Sequence, residues 1–156
     1  MYWTNSLEPN NVTIFKAGMD GMNKTPLVSG SLRGYGIQID LETRRLYWAD
    51  ETNRRIQSSN LDGTDVVTIQ QLSGGPFGLA LADQRLYWGY RNSNTVQSSG
   101  IQPGAEVRVE YTGTYLTRYF AAPNWNPPKN RTNHCEQVDC SGVCVLTPHS
   151  YRCIAS

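Results

Sequence analysis

The sequence predicts an all-β chain, built from repeated sheets of short antiparallel strands and closed by a small cysteine-rich module. Three observations carry this expectation. Tyr-Trp pairs recur at Tyr2-Trp3, Tyr47-Trp48 and Tyr87-Trp88, separated by 45 and 40 residues. Between them, apolar and polar residues alternate at strand period, with turn residues punctuating the runs. All four cysteines (Cys135, Cys140, Cys144 and Cys153) fall at the C-terminal end, after a long cysteine-free stretch. The 9 Tyr, 4 Trp, 14 Gly and 8 Pro favour strands and turns over long helices.

The central repeat reads as four strands. Ile37, Ile39 and Leu41 alternate, predicting a first strand with that face toward the core. The charged turn Glu42-Thr43-Arg44 leads into Leu46-Tyr47-Trp48, a second strand with bulky groups on both faces. A polar turn at Asp50-Glu51-Thr52-Asn53 precedes a third strand, Arg55 to Asn60. Leu61-Asp62-Gly63-Thr64 is a hairpin signal, and Asp65 to Gln71 is the fourth strand. The flanks repeat: Arg45-Leu46-Tyr47-Trp48 matches Arg85-Leu86-Tyr87-Trp88, and Arg55-Ile56-Gln57-Ser58-Ser59 matches Thr95-Val96-Gln97-Ser98-Ser99. Four short strands in this length of chain is the arithmetic of a propeller blade. Such a sheet buries its two apolar faces only by stacking on neighbours. Successive strand residues point to opposite faces, so Tyr47 and Trp48 are expected to pack on different neighbours, as core rather than as a ligand platform.

These residues resemble a known family. YWTN, YWAD and YWGY at this spacing resemble the YWTD, or class B, repeat of the low-density-lipoprotein-receptor family. The tail is similar to the epidermal-growth-factor-like module that follows such propellers: Asn133-His134-Cys135, then Cys140-Ser141-Gly142-Val143-Cys144, then Tyr151-Arg152-Cys153. The resemblance implies a six-bladed YWTD β-propeller, of which the chain supplies about three blades. Residues 1–122 are then a partial propeller, with repeats near 1–29 (lacking its first strand), 34–72 and 76–111 and a closing strand at 115–122. Residues 123–133 form a Pro-rich linker carrying Trp125, and residues 134–156 a truncated module. The remaining blades are expected in cis, or, less readily, from a second copy of the chain.

Departures from the family pattern carry their own expectations. The motif Asp is present once, at Asp50; Asn5 and Tyr90 stand at its place in the other repeats. Any polar contact made through that Asp is therefore in doubt in two of the three. The family module has six cysteines, whereas here Ala155 sits where a fifth is expected. Family pairing implies Cys135–Cys144 and Cys140–Cys153. The spacing alone is also compatible with zinc, but CxxC pairs are missing and sequons are present, which favours disulfides.

Composition narrows the function classes. A formal net charge of +1 gives no electrostatic footprint for nucleic acid. No apolar stretch is long enough to span a bilayer. The two histidines, His134 and His149, lie beside the cysteines and away from any carboxylate cluster, so the sequence offers no catalytic residue, metal site or cofactor site. Gly74-Gly75-Pro76-Phe77-Gly78 is Gly-rich but opens no helix and reads as a turn into a strand. Ser58-Ser59-Asn60 and Ser98-Ser99-Gly100 read as polar strand ends, and Asp62 with Asp65 as a solvated acidic turn. The approach to the first cysteine, Lys129 to His134, lacks the carboxylates that calcium needs. Three sequons, at Asn11, Asn23 and Asn130, are glycosylation candidates.

The resemblance implies a non-catalytic, extracellular ligand-binding region of a receptor similar to low-density-lipoprotein-receptor-related proteins. Such receptors are type I membrane proteins that act in endocytic uptake or Wnt-type co-receptor signalling, with extracellular proteins as partners. An extracellular-matrix protein of the nidogen type is the alternative. Residues 1–133 contain no histidine, so no histidine pH switch is expected there.

Overall fold

The computed structural model describes residues 1–8, 11–30, 33, 36–90, 93–113, 143–146 and 151–154. Among them there is no helix. Thirteen strands form three larger antiparallel sheets and one separate hairpin. The first sheet has three strands in the order β1 (Tyr2–Glu8), β2 (Asn11–Lys16), β3 (Thr25–Gly30). The second has four, β4 (Ile37–Asp40), β5 (Arg45–Asp50), β6 (Arg55–Asn60) and β7 (Val67–Gln71). The third repeats that meander with β8 (Pro76–Ala82), β9 (Arg85–Tyr90), β10 (Thr95–Gly100) and β11 (Arg108–Thr112). The hairpin is β12 (Val143–Leu146) with β13 (Tyr151–Ile154).

Short side chains with local hydrogen bonds set the turns. Asp40 accepts from the Glu42 amide at 2.9 Å and from the Thr43 hydroxyl at 2.6 Å, closing the β4–β5 turn. Asp62 does the same for Thr64, whose amide donates at 3.0 Å and whose hydroxyl donates at 2.6 Å. Gly63 there has φ 87. The turn continues through Asp65, at φ 52, so β7 starts at Val67, two residues later than the sequence pattern indicates.

Side-chain alternation at Tyr47 and Trp48 joins the sheets. Tyr47 (1 % exposed) packs with Ala49, Ile56, Ile69, Leu79, Leu86 and Trp88, between the second and third sheets. Trp48 points the other way, into a cluster with Ile14 and Leu46 against the first sheet. Polar contacts reinforce both junctions. Tyr2 Oη donates to Leu61 O at 3.0 Å; Gln38 Nε2 donates to Leu79 O at 3.0 Å; Gly104 N donates to Ile69 O at 2.9 Å. At Gly36 the backbones of β4 and β8 come so close that a Cβ would lie 2.5 Å from the Leu79 amide nitrogen.

Two patterns depart from the sequence reading. Ile39 shares a strand face with Ile37 yet is 37 % exposed. Tyr2-Trp3 sets β1 in register with β5, so the three-stranded first sheet has, among the described residues, no counterpart of β4 to cover Ile39. Ser58, Ser59, Ser98 and Ser99 are fully buried rather than polar strand ends in solvent. Each hydroxyl is satisfied internally, as buried polar groups require. Ser59 and Ser99 donate to the carbonyls of Asn60 and Gly100, and Ser58 and Ser98 bind arginines.

Equivalent positions in the second and third sheets differ in one respect. Register pairs Ser58 with Val67 and Ser98 with Arg108, and both outer strands carry a bulge two residues further on. Val67 and Ile69 therefore correspond to Arg108 and Glu110. The first pair is packed into the junction with the third sheet, while the second pair is exposed.

Candidate ligand-binding surface

The stack has two ends, each a row of turns. One end carries the β5–β6 turn (51–54), the β7–β8 turn (72–75) and the described part of the β9–β10 turn (93–94). Asp50 organises it. This carboxylate is fully buried at the end of β5. It accepts from Asn53 N at 3.1 Å, Asn53 Nδ2 at 2.8 Å and Arg55 Nε at 3.0 Å. The turn is also tied to its neighbours. Leu72 N donates to Arg54 O at 2.8 Å, Glu51 N donates to Arg33 O at 2.9 Å, and Gln71 Nε2 donates to the carbonyls of Asn53 and Arg54 at 3.1 Å each. Gly75 lies against the Glu51 carbonyl, where a Cβ would come within 2.7 Å of the oxygen. The result is a pinned rim whose exposed groups, Thr52, Asn53, Arg54, Gln71 and Ser73, are polar.

In the third sheet Tyr90 occupies the place of Asp50 and uses a different bond set. Its hydroxyl donates to Gln97 Oε1 at 2.7 Å and accepts from Trp88 Nε1 at 3.4 Å. The position keeps a polar role without a carboxylate, which answers the doubt that the missing Asp raised for this repeat.

At the opposite end, an arginine opens β5 and β9, Arg45 and Arg85. Arg45 donates through Nε and Nη2 to Ser58 Oγ at 3.1 and 2.9 Å, and through Nη1 to Asp65 Oδ2 at 2.8 Å. Asp65 is therefore ion-paired rather than part of a loose acidic turn. Arg85 Nη2 donates to Ser98 Oγ at 2.6 Å, and Ser98 donates to Glu110. The sequence held a signal for this pair of networks, the Arg-to-Ser spacing of 13 residues in both repeats. Beside Arg45 runs a cleft of about 230 Å³ between the second and third sheets, lined by Thr43, Tyr47, Ser58, Val67, Ile69 and Ile101 among others. Burial pushes the Tyr47 phenol above its ordinary value, so it remains a neutral hydroxyl. The cleft offers apolar contact and hydroxyl hydrogen bonds, the chemistry of recognition by shape. Among the described residues no three His, Cys, Asp or Glu side chains cluster as metal ligands would.

Comparison with known proteins bears on this repeat. Residues 44–81 match the model of the low-density lipoprotein receptor repeat class B. The match takes in 38 of the 156 residues, so it is a similarity of this one segment. The matched class B segment runs from the turn before β5 into β8, so it takes three strands of one sheet and the first of the next. One sequence repeat thus contributes to two sheets and ties them together covalently. Among class B relatives, vitellogenin receptor Yl of Drosophila melanogaster is 29 % identical over 98 % of this chain. Low-density lipoprotein receptor-related protein 5 of Homo sapiens is 41 % identical over 42 % of it. The chain spans 8 % and 4 % of those two proteins. A solved nidogen/laminin complex contains a similar fold, with a TM-score of 0.58 and 24 % identity over 64 % of this chain and 38 % of that one. The described residues are all-β and similar in fold to a YWTD propeller, and the two relatives just named are receptor proteins.

The class B aromatics divide by position. Tyr47, Trp48 and Trp88 are buried at sheet junctions; Tyr87, Tyr2 and Trp3 are half-buried. Trp3 stacks on Phe15 at 5.7 Å between ring centroids, and the Lys24 amine sits 4.2 Å from the Phe15 ring. Asn23 is exposed. Asn11 lies on β2, and the register of β12 with β13 sets Cys144 opposite Cys153. Cys135, Cys140, Asn130, Trp125, both histidines, the linker and the closing strand at 115–122 lie outside the described residues.

Proposed function

We propose that the chain is part of the extracellular, ligand-binding region of a receptor related to low-density-lipoprotein-receptor-related proteins, and that it acts without catalysis. The observation that carries this reading is the Tyr-Trp interlock of successive sheets, found in a chain that aligns over 98 % of its length with a vitellogenin receptor. Stacking of this kind makes a stiff scaffold whose turns are free to diverge, and function on such a scaffold resides in the turns. The rim pinned by Asp50 is the surface we assign to extracellular protein ligands. It is ordered before binding, so a partner meets it at little conformational cost. Three sheets of a six-bladed ring, with further blades supplied in cis, followed by an epidermal-growth-factor-like module bridged Cys135–Cys144 and Cys140–Cys153, complete the proposed organisation.

The test follows the natural gene product in its own cells with an antibody to residues 36–90. Surface labelling of intact cells followed by temperature-dependent internalisation supports the endocytic form of the proposal. Surface labelling without internalisation, with a change in a Wnt reporter on depletion, supports the co-receptor form. Product confined to the cytosol overturns both, and product retained in secreted matrix favours the nidogen-like alternative. Non-reducing peptide mapping that pairs the cysteines otherwise removes the module assignment.

A further inference from the structure

Two of the three sequons fall among the described residues, one on a turn and one on a strand. Asn23-Lys24-Thr25 occupies the turn joining β2 to β3, and both Asn23 and Thr25 are exposed. The turn closes on other groups. Gly18 N donates to Met22 O at 2.8 Å, Gly21 N to Gly18 O at 3.0 Å, and Met22 N to Asp20 Oδ1 at 3.0 Å. Asn23 itself has φ 57, a left-handed conformation that asparagine tolerates better than most residues. Lys24 is exposed and lays its amine over the Phe15 and Trp3 rings. Asn11-Val12-Thr13 is the contrast. It runs along β2, the central strand of its sheet, and Thr13 is 6 % exposed. The folded product must leave room at the asparagine for a bulky, hydrated sugar, which an exposed turn offers and a central strand running beside a buried threonine does not.

We infer that Asn23 carries an N-linked glycan and that Asn11 does not. This rests on the extracellular reading above. In the transfer, Asn23 Nδ2 loses one proton and bonds to the anomeric carbon of an oligosaccharide. The bond from that carbon to its lipid-diphosphate carrier breaks, and the diphosphate leaves with the electron pair. Position gives the modification a consequence. The Tyr2–Leu61 hydrogen bond, and the approach of Gly63 to the Leu27 carbonyl, put the 17–24 turn at the same end as the 61–66 turn. That is the end opposite the Asp50 rim. A glycan at Asn23 leaves the proposed ligand surface uncovered while shielding the far end.

The experiment expresses the full chain behind a cleavable secretion signal, with a reporter sequon appended at its C-terminus. Amidase release in heavy-oxygen water, read by peptide mass spectrometry, locates each glycan. The expected result is a label on Asn23 and none on Asn11. N23Q, N23G and T25A each remove one mobility step, whereas T25S retains it and N11Q changes nothing. N23G keeps the left-handed backbone, so it reads the modification and not the turn. A bare Asn23 beside a glycosylated reporter overturns the inference, as does a glycan on Asn11. The supplied signal bypasses natural targeting, so failure of the extracellular reading registers only in the localisation experiment.

Discussion

Replacing Asp50 by alanine should loosen one end of the stack by a predictable amount. The carboxylate is fully buried and accepts three hydrogen bonds, two from Asn53 and one from Arg55. The Asn53 groups lie on an exposed turn and can turn to water when the carboxylate is gone. Each of those bonds is therefore worth about 1 kcal/mol rather than the larger value of a sealed charged contact. The Arg55 side chain is 32 % exposed, so solvent screening holds the ion pair to about 1 kcal/mol. Together these come to about 3 kcal/mol, or on the order of 10 °C in the melting midpoint of a folded unit this size. D50N, which keeps volume and one acceptor, should lose about half as much. Urea unfolding followed by tryptophan fluorescence measures the change, and amide exchange at Asn53 reports the local release. A D50A cost under about 0.5 kcal/mol, with unchanged exchange at Asn53, would refute the reasoning.

Other perturbations separate the two sheet junctions. Trp48 and Trp88 are equally buried, but Trp88 donates its indole proton to Tyr90 while Trp48 Nε1 has no partner among the described residues. W48F should cost less than W88F, by about 1 kcal/mol in the same unfolding assay, and the reverse order would contradict this bookkeeping. G36A brings a methyl group 2.5 Å from a backbone nitrogen of β8 and should destabilise by about 1–3 kcal/mol, with exchange at Leu79 rising first. Bonds from Thr64 hold the Asp62 carboxyl below its ordinary value of 3.8. A depressed acid stabilises the fold above its unfolded pKa and loses that contribution as pH falls through the folded one. The stability difference between wild type and D62N should be constant at neutral pH and shrink only as pH falls below about 4, read by acid titration of both.

Much of the sheet pattern was legible because its causes are local. Period-two alternation, an aspartate that can cap a turn and a Gly after it are all readable in Ile37 to Gln71 without knowing what lies across the sheet. The opposite headings of Tyr47 and Trp48 follow from strand geometry alone. What escaped is set by partners distant in sequence. Serine is usually a surface residue, and nothing near Ser58 or Ser98 announces burial. Only the cross-strand register brings Arg45 and Arg85 diagonally onto them. Ile39 misleads for the complementary reason, since its own strand is amphipathic but the neighbouring sheet has, among the described residues, no strand to cover it. Left-handed backbone at Arg44, Arg54, Asp83 and Gln84 likewise has no glycine to mark it. The rim was hidden in the same way. Asp50 was visible as a motif residue, but its grip on Asn53 and Arg55 needed the turn to be folded first.

Val67 and Ile69 on one outer strand, and Arg108 and Glu110 at the matching sites of the next, mean that the sheets are not interchangeable tiles. The two flanks differ: grease on one, exposed charged side chains on the other. A molecule assembled by copying the second sheet in place of the third would offer its successor the wrong key. The seam between the second and third sheets is therefore specific to its own side chains, and duplication of the second sheet, the simplest genetic route to a longer array, would need its border rewritten before the new member fitted the β11 flank.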